Sequence, residues 1–359
     1  MSTYIVRKLI YGILVLWGVI TIVFFLFNIL PGDASRMLLG QRADINSVEA
    51  IKKDLGLDQP PLLQYLNFLN DLSPVSLHNI KDKESYWFFD PAKYGKGIML
   101  FKGEQWGAVL KFPYLRRSYQ SKRKVSDIIA EAFPKTLLLA TSSIFLAMLL
   151  GVFLGVISAL KKDRLTDKLL MIFSSLGMSV PSFFAAILMA WLFAFVWGKY
   201  TGLPMFGSLY SVDDYTGEVY LNFKNLILPA VTLGIRPLAI VISLTRSSLL
   251  EVLSQDYIRT AYAKGLSKKA VILKHALRNA LNPVITAISG WFASLMAGAV
   301  FVEYVFDWKG IGVIIVDALE KYDLPVIMGS VLFISVILII TNLLVDIMYA
   351  LLDPRVHYN

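Results

Sequence analysis

Three histidines, an arginine deep in an apolar run and one long basic stretch are the parts of this chain whose residue types and spacing bear on chemistry. His78, His275 and His357 lie far apart and in different expected elements, so they form neither a metal cluster nor a catalytic triad. A nucleotide phosphate cradle needs the spacing G-x-x-x-x-G-K-[ST], in which backbone N–H groups and a lysine surround the phosphates, and the chain has none. With no cysteine, neither a disulfide nor a thiolate metal site is available. The residues therefore point away from an enzyme and away from a cofactor or metal held by this chain.

The basic stretch runs from Arg259 to Pro283, RTAYAKGLSKKAVILKHALRNALNP, between two long apolar runs. Leu250, Leu253, Tyr257 and Ala261 recur at helical spacing and predict a helix with one narrow apolar stripe. Gly265 breaks the pattern. Ser267 is placed to cap a second helix in which Lys268, Lys269, Lys274 and Arg278 carry charge and Val271, Ile272 and Ala276 form an apolar side. Helix, glycine turn and helix suit a docking element for a cytosolic partner, with the apolar stripe filling a pocket of that partner. Two other readings compete: positive charge beside a span fixes topology and touches anionic membrane lipid, and a basic helix-turn-helix suggests DNA. Nucleic acid is set aside because the flanking apolar runs cannot leave a bilayer to reach a groove.

The elements that position these residues follow from composition. The chain has 359 residues and is 56% hydrophobic, with a mean hydropathy of +0.61, more apolar surface than one soluble core needs. Six runs, near 9–30, 137–160, 168–197, 226–249, 281–305 and 325–352, are long enough for a hydrocarbon core of about 30 Å. Pro181 predicts a kink or re-entrant bend in the third. Arg7 and Lys8, then Lys161, Lys162 and Arg164, and the basic loop belong on the cytoplasmic side, as do both termini with Arg355 and His357. The net charge of +9 needs no further explanation, since much of it sits in those segments. The first run is too long for a typical signal h-region and has no small-x-small cleavage site, so it is expected to be retained.

The fold class expected is an all-α polytopic membrane protein of six transmembrane helices, both termini cytoplasmic, with a small extracytoplasmic α/β insertion between helices 1 and 2. Three parts are expected: the first span (1–30), an extracytoplasmic region (31–134), and a five-helix core (135–359) with its loop at about 250–280. Asn46 and Glu49 suggest a capping-box-like start to a helix in the second part. Gly97 to Phe112 suggests a hairpin turning at Lys102-Gly103-Glu104, with Tyr86, Trp87, Phe88, Phe89 and Trp106 to bury. Pro134 is expected at the entrance of the second span. Within the spans, Arg236 falls near mid-bilayer depth, where a guanidinium must face water or a partner. Lining of a translocation path and a structural pairing both satisfy that. Glu303 is expected to snorkel or to touch a gate, and Asp346 to pack helices with Asn342. Pro237 is a second possible helix break.

The run Arg259-Thr260-Ala261-Tyr262-Ala263-Lys264-Gly265-Leu266, continued by His275 to Leu281 and Pro283, resembles the EAA loop of ABC importer permeases. The likeness is to the R-T-A-x-A-K-G-L form of the dipeptide and oligopeptide permeases, B-type subunit. Further likenesses are Leu30-Pro31-Gly32-Asp33, Gly56-Leu57-Asp58-Gln59-Pro60, Ser179-Val180-Pro181-Ser182-Phe183, Leu244 to Ser254, Glu303 to Phe306 and the run from Asn342 to Arg355. Residues 76–111 fit less well and look like an insertion. The resemblance implies a multi-pass permease of a bacterial inner or plasma membrane. It implies a homologous second permease, two ABC ATPase subunits that bind ATP and Mg, and an extracytoplasmic solute-binding protein. Arg259, Thr260, Ala261, Ala263, Lys264, Gly265 and Leu266 would form the ATPase-coupling loop; Arg236, Pro181 and Ser182 are the candidates for the translocation path. The rival is a secondary transporter or channel driven by an ion gradient, built on broken helices at paired positions of two halves.

Overall fold

The computed structural model describes residues 2–28, 59–82, 85–213 and 215–352. Asn46, Glu49, the Leu30 to Asp33 and Gly56 to Asp58 motifs, Arg355 and His357 lie outside the described residues. Contacts divide the chain into two units, one of residues 132–313 with 337–359, the other of 2–131 with 314–336.

In the second unit, α1 (Ser2–Asn28) is a span of almost uniform apolar character, and α2 (Pro61–Leu72) starts on a proline suited to its first turn. Phe24 stacks near Tyr65 and Phe68 of α2, with centroids 5.2 and 5.7 Å apart, and Met328 and Leu332 complete this cluster. Strands β1 (Val75–Asn79), β2 (Ile98–Lys102) and β3 (Trp106–Leu110), with the short α3 (Pro91–Tyr94) between β1 and β2, form an antiparallel sheet in the order β1-β3-β2. The β2–β3 hairpin turns where expected. Tyr86 and Trp106 remain exposed, however, and Tyr94 is buried.

The long helix α4 (Val125–Leu160) begins nine residues before Pro134. Pro134 is thus inside the helix rather than at its entrance: it sits on an exposed face, where losing one backbone hydrogen bond is least costly.

In the first unit, α5 (Leu165–Ser179) and α6 (Ser182–Met189) are separated by Val180 and Pro181 and bent by 113°. A π-helical stretch, Ala190–Val196, extends α6. The short α7 (Gly198–Thr201) and a hairpin of β4 (Tyr210–Val212) and β5 (Val219–Leu221) lead to α8 (Lys224–Leu253). Pro229 and Pro237 lie inside α8 without breaking it, which corrects the expected break at Pro237. α4 and α8 approach closely through Gly151 and Gly155, four residues apart. A Cβ on Gly155 would stand 2.6 Å from Thr245 Cβ, so only glycine fits there. The loop that follows contains α9 (Asp256–Ala263), α10 (Lys268–Ala270), a π turn (Val271–Ala276) and α11 (Leu277–Ala280).

Next come α12 (Asn282–Gly298) and α13 (Val300–Phe306), bent by 59° as a second broken pair. α14 (Ile311–Glu320), a helix the sequence reading did not expect, and α15 (Leu324–Leu352) complete the chain. Among the described residues, four helices are long and apolar enough to cross a membrane, or up to six if each bent pair counts as one span. The breaks fall in the third and fifth runs, which are not counterparts in a three-plus-three repeat.

Glu303 does not snorkel. Its side chain is fully buried, its Oε2 accepts from Gly312 N at 2.6 Å, and it packs over Gly310, where any Cβ would collide with it. Beside it, Ile311 N donates to Thr136 Oγ1 (2.9 Å) and Trp308 Nε1 to the Lys135 carbonyl (3.0 Å). Glycine is needed at 310 and 312 so that the chain can fold over a carboxylate. Asp346 is half-buried and Asn342 exposed.

Candidate functional site

Helix α8 stops at Leu253, where Ser254 and Gln255 turn the chain, and Asp256 opens α9 with a negative charge at the helix's positive end. α9 ends on Gly265, whose φ of +78° is a conformation side chains resist. Gly265 N donates to the Tyr262 carbonyl (2.9 Å) and Leu266 N to Ala261 (3.4 Å), the paired bonds of a Schellman stop. Ser267 then caps α10, accepting from Ala270 N at 3.4 Å, as expected. Asn279 Nδ2 donates to Tyr257 Oη at 2.8 Å and ties the far end of the loop back to α9.

The break at Ser254–Gln255 shifts the helical phase. Ile258 and Ala261, with Val271, Ala276 and Ala280, are buried against Ala159 of α4 and Leu249 of α8. The stripe read from the sequence is therefore not one continuous outward face: Ala261 is inside the chain's own core, Leu250 and Leu253 are half-buried, and Tyr257 is exposed. Outward-facing instead are Tyr257, Tyr262, Leu266 and Leu273, among Arg259, Thr260, Ala263, Lys264, Gly265 and three further lysines, Lys268, Lys269 and Lys274. The surface is apolar at four points and strongly basic around them. The Arg259–Asp256 pair on it (3.3 Å) is too exposed to contribute much.

The loop's root is fastened by a pair the sequence reading missed. Arg246 of α8 grips Asp167 of α5 bidentately, Nε to Oδ1 at 2.6 Å and Nη2 to Oδ2 at 2.8 Å. Ser158 Oγ (2.5 Å) and Asp163 N (2.9 Å) also donate to Asp167. Asp167 is 3% exposed at its side chain, so every lone pair it buries needs such a partner. An arginine within an apolar run and an aspartate just after a basic turn were the available signals.

Pro181 releases the last carbonyls of α5, and Arg236 Nε donates to one of them, Met178, at 3.3 Å. No acidic side chain among the described residues pairs with Arg236. Arg236 and Ser182 line one cavity of about 310 Å³ with Thr232, Trp291 and Ser294. Pro181 bends the chain beside it without lining it. His275 is exposed on the loop and His78 is buried in the sheet. Among the described residues there is no group of three or more metal-ligating side chains.

Residues 151–358 match the family described as binding-protein-dependent transport system inner membrane component, and residues 1–81 match its N-terminal companion. The chain belongs to this family. Such a permease is a non-catalytic, multi-pass inner membrane component of a multi-subunit ABC importer, with ATP hydrolysed by partner subunits. The permease is 33% identical over 358 residues, all of both chains, to the glutathione transport system permease protein GsiC of Escherichia coli (strain K12). It is 33% identical over 374 residues, again all of both chains, to the dipeptide transport system permease protein DppB of Alkalihalophilus pseudofirmus. Its fold resembles that of a chain of the inward-facing MetNI methionine ABC transporter, with a TM-score of 0.50 at 16% identity over 63% of this permease and 96% of that chain.

Proposed function

We propose that this permease forms half of the translocation path of an importer of short peptides, paired with a homologous second permease. Its partners are two ABC ATPase subunits, which bind ATP and Mg, and an extracytoplasmic solute-binding protein. Six spans put both termini and the 250–280 loop in the cytoplasm and the 31–134 region outside. ATP-driven closure of the ATPase subunits moves the loop as a rigid body about Gly265, and the Asp167–Arg246 clasp passes that motion to α5 and α8. Arg236 and Ser182, beside the Pro181 bend, face the path, where a guanidinium is hydrated and can meet a peptide carboxylate.

The observation that carries this reading is the loop itself: an apolar and basic face turned outward, on a core buried in the chain's own helices. Peptide cargo is supported by the full-length likeness to glutathione and dipeptide permeases. The test is reconstitution in sealed vesicles with copurified partners. Peptide uptake that needs ATP and the binding protein, and survives collapse of ion gradients, supports the importer. Autonomous uptake that follows an ion gradient supports the rival transporter.

A further inference from the structure

Outside the spans, the unit that contains the sheet holds a second cavity of about 290 Å³, at the small end of the range for ligand sites, about 300 to 1,000 Å³. Helix α2 contributes Gln64, Asn67, Asn70 and Asp71 to its lining, and Lys93, Arg116, Arg117 and Lys122 line it as well. Tyr86, Tyr94, Tyr114 and Tyr119 complete the lining. Among the described residues that line it, four cations therefore accompany a single carboxylate, Asp71.

That carboxylate is already engaged. Its Oδ1 accepts from Tyr94 Oη (2.9 Å) and Lys93 Nζ (3.3 Å), and its Oδ2 from Arg116 Nε (3.2 Å). Lys111, buried behind the wall, donates to the Asp71 carbonyl at 2.6 Å and adds positive charge. Arg117 donates to the backbone carbonyls of Lys122 (Nη1, 3.2 Å) and Ala92 (Nη2, 3.5 Å) and hydrogen-bonds Tyr114, and among the described residues neither Arg117 nor Lys122 makes an ion pair. Among the described residues lining the cavity, positive charge exceeds negative.

The cations are also held in place. Arg116 and Lys122 have φ of +66° and +59°, which few side chains tolerate. The turn between them is fixed by Asp323, which accepts from Ser118 Oγ at 2.5 Å and Tyr119 N at 2.9 Å. A preorganised cup of cations, amides and tyrosine rings is complementary to a carboxylate attached to a short polar chain.

We propose that this cavity is a binding site for the C-terminal carboxylate of a short peptide, separate from the cavity that contains Arg236. Arg117 and Lys122 supply the charge, Asn67 Oδ1 meets a peptide N–H, and the tyrosine faces meet side chains. The peptide class rests on the proposed importer function; the carboxylate preference rests on the cavity alone.

The test uses the complete transporter in nanodiscs, without ATP or binding protein, titrated calorimetrically with trialanine and with trialanine amide. Arg117→Gln and Lys122→Asn are combined in one variant; both positions are exposed, and asparagine tolerates the left-handed conformation at 122. Trialanine should bind the wild type saturably, with the amide and the double variant each weaker by about tenfold or more. Equal affinity for acid and amide, or an unaltered double variant, overturns the proposal. So does an unaltered trialanine isotherm joined to a loss of binding-protein affinity, since the charge would then receive an acidic side chain of that protein. A correctly folded variant is recognised by an unchanged thermal midpoint, and Lys122→Asn alone repeats the comparison with less perturbation. Absent binding with intact ATP-driven peptide uptake removes this site and leaves the importer function standing.

Discussion

Replacing Gly265 isolates the conformational demand of the loop from its steric surroundings. A Cβ built on Gly265 meets no atom within 4 Å, so a side chain there costs only what φ = +78° costs. That is about 1–2 kcal/mol for alanine, roughly 2–3 kcal/mol for the β-branched valine, and less for asparagine, which visits this region readily. The two bonds that close the turn contribute about 1 kcal/mol each, so valine offsets the whole stop and α9 is no longer locked to α10. Since about 1.4 kcal/mol is tenfold in an equilibrium, binding-protein-stimulated ATPase activity should follow the order Gly265, Gly265→Asn, Gly265→Ala, Gly265→Val. The last should be lower by about tenfold or more, with membrane insertion unchanged. Wild-type activity for Gly265→Val would refute the reasoning. Equal defects for Asn and Val would refute it too, because side-chain bulk rather than backbone conformation would then decide.

Removing one partner of a buried ion pair strands the other, so Arg246→Met should cost about 3–5 kcal/mol, seen as a lower melting temperature in detergent. Arg246→Met with Asp167→Leu should recover most of it, and failure to recover would show that the pair does not act as a unit. Burial, aided by Lys111 and Lys93, holds the His78 imidazole below its ordinary value of 6.5, against the Trp87 carbonyl and Asp71. The unfolded chain therefore binds the proton first, and the sheet should lose stability as pH falls below about 6.5. The protection factors of β1 and β3 amides, exchange rates corrected for the intrinsic pH dependence, should fall on acidification in the wild type and less so in His78→Phe; equal slopes would contradict this. Arg236→Gln should reduce uptake of free-carboxylate peptides more than of their amides with assembly intact, and equal losses would make Arg236 structural.

Much of this architecture could be read locally. Six apolar runs, the bend at Pro181, the 97–112 hairpin, the Gly265 stop and the Ser267 cap each depend on a few neighbouring residues. What was missed depends on distant ones. β1 pairs with β3 about thirty residues on, and Asp167 meets Arg246 across 79 residues. Glu303 turns inward because Gly310 and Gly312 let the chain fold over it, which no periodicity reveals. Ala261 was grouped with Tyr257 on one face for a simpler reason: a single helical phase was carried through Ser254 and Gln255, where the helix breaks. Asp213 in the link before β5 shows the same limit, since the β4–β5 hairpin it helps to turn has strands of only three residues.

The most direct test of the coupling assignment uses the absence of cysteine in the native chain. Leu266→Cys places one thiol on the exposed loop face, and Ser211→Cys places one in the β4–β5 hairpin. In membranes containing the full transporter with single-cysteine ATPase subunits, Leu266→Cys should form a cross-link to an ATPase subunit whose yield changes with bound nucleotide. Ser211→Cys should form none and should react with an impermeant maleimide from outside. An ATPase cross-link at position 211, or none at 266 under any nucleotide condition, would contradict the account.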